Sequence, residues 1–229
     1  MMIENKIDHT VLEKHATLEQ IRDEVELAAK FGTNVCLPPM YVSVADEVFS
    51  EYGHDGEIVA VVGFPLGYNT NEVKKLEAEI ADAKGATEID ITSNISALKS
   101  GQNERYKKDI EEIVNQDYEN VHTVKVILET GLLTEEEKVK GAELCHEAGA
   151  DFVKTCTGFI DDGVIAEDVD MLHDAVGDKV DVKASGGISS YEEAMMMIES
   201  GASRIGASSG IDIVREYQER QKEKEEQSQ

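Results

Sequence analysis

The sequence predicts a single-domain (β/α)8 TIM barrel, and three observations carry that prediction. Eight short apolar runs alternate with longer amphipathic runs along 229 residues. Several short runs are continuously apolar, as parallel strands covered on both faces require. Helical runs close on Phe31-Gly32, Lys84-Gly85-Ala86, Ala148-Gly149-Ala150 and Ser200-Gly201-Ala202, each shortly before a strand candidate. Glycine there provides the left-handed cap from which the chain turns into the next strand. A doubly wound open sheet is the alternative, but the Gly-x-Gly-x-x-Gly of a dinucleotide fold is absent after the first strand.

The strand candidates are residues 6–9, 34–37, 58–64, 88–91, 121–129, 152–155, 180–184 and 204–207. Three intervening helices start on capping boxes: Thr17 with Gln20, Thr134 with Glu137, and Ser190 with Glu193. In each, hydroxyl and side-chain carbonyl satisfy one another's free backbone N–H groups. Leu18, Ile21, Val25, Leu27 and Ala28 form the apolar face of the first helix. Residues 71–84 and 102–116 are further helices, and Met195, Met196, Met197 and Ile198 read as helix packing. No proline- or serine-rich linker divides the chain. Residues 1–215 therefore read as the barrel, and 216–229 as a charged tail or a helix extension.

The net charge is −26, from 48 acidic against 22 basic residues. Nucleic acid and anionic membranes are poor partners for such a surface, since both need a positive field. A host with high internal salt explains the charge, because counterions screen self-repulsion; an ordinary acidic cytosolic protein explains it equally. No apolar run is long enough to span a membrane, and residues 1–6 lack the basic and apolar regions of a signal peptide. Cytoplasmic residence is expected. Cys36, Cys145 and Cys156 form no CxxC pair and the six histidines show no HxH or HxxxH spacing. Neither a disulfide framework nor a metal site is expected.

The chemistry collects at strand ends, where this barrel carries its active site. The sixth strand holds Lys154 in the run Asp151–Phe159, and the seventh holds Lys183 before Ala184-Ser185-Gly186-Gly187. A core strand normally excludes lysine, because an unpaired ammonium is costly to bury. One such lysine reads as a snorkelling side chain. Two suggest one shared site, in which repulsion between amines favours a neutral nucleophile. Asp90, between Ile89 and Ile91, and Asp8, before His9, supply carboxylates. A buried ion-pair network that only fixes register is the competing reading. Gly186-Gly187 after the seventh strand and Ser208-Ser209 after the eighth, just before a helix at Ile211, suit a phosphate. Cys36 and Thr157 are candidate pocket residues. Cys145 reads as packing, and residues 63–67 as a loop shaping the pocket.

The ordered segments Ile7-Asp8-His9-Thr10, Val35-Cys36, residues 61–67, Glu88-Ile89-Asp90, residues 125–130, 148–159, 182–188 and 204–210 make the chain resemble the deoxyribose-phosphate aldolases. The resemblance implies a class I aldolase that reversibly cleaves 2-deoxy-D-ribose 5-phosphate to acetaldehyde and D-glyceraldehyde 3-phosphate, without metal or cofactor. It implies Lys154 as the Schiff-base lysine and Lys183 as the lysine that favours its neutral form. Asp90 is then the acid/base group, and Asp8 supports the proton relay. Gly158, Gly186, Gly187, Ser208 and Ser209 become the phosphate-binding groups, and a dimer or larger homo-oligomer is implied. Phe159 and Ser189 stand where some relatives carry basic residues, so phosphate affinity is expected to lean on backbone donors. Another phosphosugar barrel enzyme and a phosphosugar-binding regulator without turnover are the alternative functions.

Overall fold

The computed structural model describes residues 3–160 and 163–227. The first two residues of the N-terminal stretch and the last two of the charged end lie outside the described residues. Eight parallel strands close into a barrel in chain order: β1 (Ile7–Thr10), β2 (Asn34–Leu37), β3 (Ile58–Val62), β4 (Glu88–Thr92), β5 (Thr123–Ile127), β6 (Phe152–Lys154), β7 (Asp181–Ser185) and β8 (Arg204–Ala207), with β8 paired back to β1. The helices outside them are α1 (Leu18–Phe31), α2 (Val42–Tyr52), α3 (Asn71–Ala83), α4 (Ile95–Lys99), α5 (Asn103–Val114), α6 (Glu135–Glu147), α7 (Ala166–Val176), α8 (Tyr191–Glu199) and α9 (Gly210–Gln227).

All eight expected strands form, and the differences lie at their ends. The run 58–64 stops at Val62 because Gly63 takes a positive φ and turns the chain away. The run 121–129 shortens because the backbone N–H of Val121 donates to Asp82 instead, and Glu129 leaves the extended region. The three capping boxes are made, and Gly32, Gly85, Gly149 and Gly201 all adopt positive φ. The charged end continues α9 as helix to Gln227.

One apolar layer fills the space between strands and helices, with Ile21, Val25 and Ala28 of α1 and Ile89 and Ile91 of β4 buried in it. Met197 is buried there, while Met196 is exposed. Cys145 is buried with its sulfur 3.8 Å from the Tyr106 hydroxyl, a packing position. Cys36 lies inside the barrel with Val59 and Val61, against the half-buried Leu12 and Phe64. The alternation of each strand thus sends one set of side chains to the helices and the other to the barrel axis.

Candidate active site

Alternation along β4 sends Ile89 and Ile91 outward and brings Asp90 to the axis, where it is fully buried. On the neighbouring strands, Asp90 is the register partner of Lys125, and Lys154 is the register partner of Lys183. The three lysines converge on one carboxylate. Oδ2 of Asp90 accepts from Lys154 Nζ at 2.7 Å and from Lys183 Nζ at 2.7 Å, and Oδ1 accepts from Lys125 Nζ at 3.1 Å. Lys183 also touches Asp8. Arg204 closes the far side, donating Nε to Asp8 Oδ1 at 2.8 Å and Nη2 to Glu88 Oε2 at 2.8 Å. Asn34 donates to Asp8 at 3.1 Å, and Lys125 to Glu88 at 2.5 Å. Gly206 leaves room for this cluster: a Cβ there would stand 3.1 Å from Lys183 Cε.

The charges set one another. Burial alone would raise Asp90, but Lys125, Lys154 and Lys183 outweigh it and hold the carboxyl well below its usual range. Asp8 is held down in the same way, against burial, by Lys183, Arg204 and Lys125. Burial alone would lower Lys183, yet Asp8 and Asp90 hold it above the ordinary lysine value. The two lysines therefore do not confront each other bare, as the sequence suggests; a carboxylate oxygen sits between them. Burial pushes the Cys36 thiol up to about 11 despite Lys183, which leaves it protonated near neutrality.

Above the cluster opens a cavity of about 480 Å³ at the C-terminal strand ends. Lys154 lines it, with Thr157, Gly158, Gly186, Gly187, Ser208 and Ser209. Asp8, Asp90 and Lys183 lie beneath it, and Cys36 is not among its lining residues. Gly210 begins α9 just beyond Ser208 and Ser209, so free N–H groups of its first turn accompany their hydroxyls. Phe159 lines the cavity and meets the Phe64 ring edge-on at 5.2 Å between centroids, so residues 63–67 do shape this wall. His9 instead faces α1, with Nε2 2.8 Å from Glu24. Among the described residues, no group of three or more His, Cys, Asp or Glu side chains is placed to hold a metal ion.

Sequence reasoning missed Lys125, Glu88 and Arg204 as members of the cluster. A period-two reading outward from Asp90 would have found Glu88, and the same test on β5 would have isolated Lys125 between Val124 and Val126. It also missed Glu13, Lys14 and His15, which reach the cavity from the loop after β1. Nothing in their sequence pattern marks that loop as folding over the mouth.

Fold and site together define a (β/α)8 barrel enzyme whose amines and carboxylates gather under the barrel mouth. The pattern of the DeoC/LacD family of aldolases matches residues 3–218. The chain belongs to that family, and it is an aldolase, a lyase by class. It is 50% identical over 220 residues to the deoxyribose-phosphate aldolase of Caldanaerobacter subterraneus subsp. tengcongensis, covering 95% of this chain and 94% of that one. It is 49% identical over 215 residues to that of Thermococcus gammatolerans, covering 93% and 96%. A solved structure described as an aldolase superposes with a TM-score of 0.91 at 39% identity, covering 96% of this chain and 97% of that chain. The deoxyribose phosphate aldolase of Aeropyrum pernix, described as a unique tetrameric structure, superposes at 0.86 with 32% identity, covering 94% and 91%.

Proposed function

We propose that the chain is a class I aldolase that reversibly cleaves 2-deoxy-D-ribose 5-phosphate to acetaldehyde and D-glyceraldehyde 3-phosphate, with Lys154 as nucleophile. The observation that carries this reading is Lys154 at the cavity floor, bonded to an Asp90 oxygen that it shares with Lys183. Lys125, Lys154, Lys183 and Arg204 face Asp8, Glu88 and Asp90, which leaves one cation in excess. Lys154 is the amine open to substrate: Lys125 and Lys183 each touch two carboxylates, whereas Lys154 touches one and lines the cavity.

The neutral Nζ attacks the C1 aldehyde of the open-chain sugar. The resulting carbinolamine loses water as protons pass through Asp90, which is ionised and within reach. The protonated imine then draws in the electrons of the C2–C3 bond as the C3 hydroxyl gives up its proton. Glyceraldehyde 3-phosphate leaves with a new carbonyl at C3. The enamine takes a proton at C2, and water hydrolyses the imine, freeing acetaldehyde and Lys154. The backbone at Gly158, Gly186 and Gly187, the hydroxyls of Ser208 and Ser209 and the first turn of α9 bind the phosphate. Cys36, protonated beneath the cavity, serves as filler.

Among the described residues no helix is long and apolar enough to cross a membrane, and the three cysteines are free. The free cysteines fit a reducing cytoplasm, and cleavage of 2-deoxy-D-ribose 5-phosphate fits a role in deoxyribose catabolism. A homo-oligomer, dimer or larger, is supported by the exposed stripe Val73, Leu76 and Ile80 on α3, and light scattering on the purified chain tests it. The central test is to incubate the protein with acetaldehyde and borohydride and to map the adduct by mass spectrometry. A reduced adduct at Lys154 is expected. Tight phosphosugar binding without an adduct would instead support a regulator without turnover.

A further inference from the structure

Glu129, just past β5, has the only positive φ of any non-glycine among the described residues, 59° with ψ 64°. A side chain with a Cβ adopts that conformation against a steric penalty, so the surroundings must hold it there. Its carboxylate is buried, with 2% of the residue exposed, and it forms no ion pair among the described residues. Such a carboxylate is tolerated only when hydrogen bonds replace its water. Both oxygens find them on one residue: Oε1 accepts from the Thr157 backbone N–H at 3.1 Å, and Oε2 from the Thr157 hydroxyl at 2.6 Å. Neighbouring backbone bonds hold the two strand ends together, with Leu128 N–H donating to Lys154 O at 2.9 Å and Thr130 N–H to Thr155 O at 3.0 Å.

These contacts fix the polarity of the Thr157 hydroxyl. A threonine hydroxyl has one proton and two lone pairs. The proton goes to Glu129, and one lone pair takes the Phe159 N–H at 3.2 Å. One lone pair remains, and Thr157 lines the cavity beside Lys154. The geometry points to Glu129 as a positioning residue, which holds Thr157 as a hydrogen-bond acceptor for a hydroxyl of the sugar joined to Lys154. This role rests on the aldolase reading above. Its consequence is selectivity for hydroxylated carbonyl substrates, because a substrate without that donor leaves the oriented oxygen unmet.

Glu129→Gln tests the role directly. An amide puts an acceptor oxygen on one side and an NH2 donor on the other; the oxygen takes the fixed Thr157 N–H, the NH2 donates to the hydroxyl, and the hydroxyl proton turns toward the cavity. With 2-deoxyribose 5-phosphate, KM is expected to rise and kcat/KM to fall on the order of 10- to 100-fold, the scale of leaving a buried hydrogen-bonding group unpaired. Borohydride trapping of acetaldehyde, which carries no hydroxyl, is expected to slow less than about threefold on the same scale. Glu129→Gly relieves the backbone and removes the carboxylate. It should lose as much as Glu129→Gln, whereas a role confined to backbone shape makes it harmless. Thr157→Val should match these losses, and Thr157→Ser, which keeps the hydroxyl, should lose clearly less. A wild type that traps acetaldehyde, with Glu129 variants of unchanged KM or with cleavage and trapping equally slowed, overturns the positioning role alone. A wild type that forms no adduct at Lys154 overturns the aldolase reading and this role with it.

Discussion

Lys154 and Lys183 meet on the same oxygen of Asp90, each 2.7 Å from Oδ2. Their strands place them as register partners, so their main chains are adjacent and only the shared carboxylate keeps the amines compatible. Lys183 is held on the other side by Asp8 and is the proton-rich member, while Lys154 meets the cavity. This asymmetry motivates the division of labour between two chemically identical side chains.

Lys154→Leu should leave the barrel folded and remove cleavage. The variant keeps the volume of the side chain and removes the amine that bonds Asp90 Oδ2. We expect an unchanged far-ultraviolet circular dichroism spectrum and a loss in kcat on the order of 10⁴-fold or more, the scale of deleting a nucleophile. Residual activity within tenfold of wild type would assign the nucleophile elsewhere.

Asp90→Asn should damage both stability and rate. It leaves three lysines around a neutral amide, and breaking a buried ion network from one side costs about 3–5 kcal/mol. Adding Lys125→Met removes one cation to match the lost anion, since Lys125 bonds Asp90 Oδ1 and Arg204 still pairs its other partner, Glu88. Denaturant midpoints should show the double variant recovering part of the stability of Asp90→Asn. Its turnover should stay depressed about 10²- to 10⁴-fold, the contribution of a general base. Recovery of both together would make Asp90 a structural group only.

Lys74 predicts an alkaline signature. Burial pushes this α3 lysine down from 10.5 to about 8, and its ammonium donates to the Thr92 carbonyl at 2.7 Å. Between about 8 and 10.5 the unfolded chain holds the proton that the folded chain has lost. Stability therefore rises with pH across that window. Lys74→Met should flatten the rise, and melting curves from pH 7 to pH 11 measure it. Parallel pH profiles for the two proteins would contradict the assignment.

Gly187→Ala should separate phosphate binding from imine chemistry. Gly187 has φ 78° and lines the cavity, so an added Cβ strains the loop where backbone donors meet the anion. KM for the phosphorylated sugar should rise on the order of tenfold, the loss of about one hydrogen bond, with acetaldehyde trapping at Lys154 retained. An unchanged KM would move the phosphate to another part of the cavity.

Salt should stabilise this chain. With a net charge of −26, self-repulsion in the folded state is screened as the Debye length falls from about 10 Å at 0.1 M to about 3 Å at 1 M. We expect Tm to rise between those concentrations of potassium chloride. Equal melting points would remove the salt-adaptation reading and leave an ordinary acidic protein.

The sequence alone determined the barrel, its strand order and its principal amines. Those features are local: apolar runs at Val35, Val59 or Val126, capping boxes at Thr17, Thr134 and Ser190, and a lysine conspicuous inside a strand all declare themselves within a few residues. Tertiary structure alone decided how the charges combine. Residues 8, 88, 90, 125, 154, 183 and 204 meet because barrel closure and register bring seven distant positions to one axis, and the energy of a buried charge depends on its neighbours in space. For the same reason the carboxylate of Glu129 is silent in the sequence. Its backbone conformation and its hold on Thr157 exist only where the ends of β5 and β6 stand side by side.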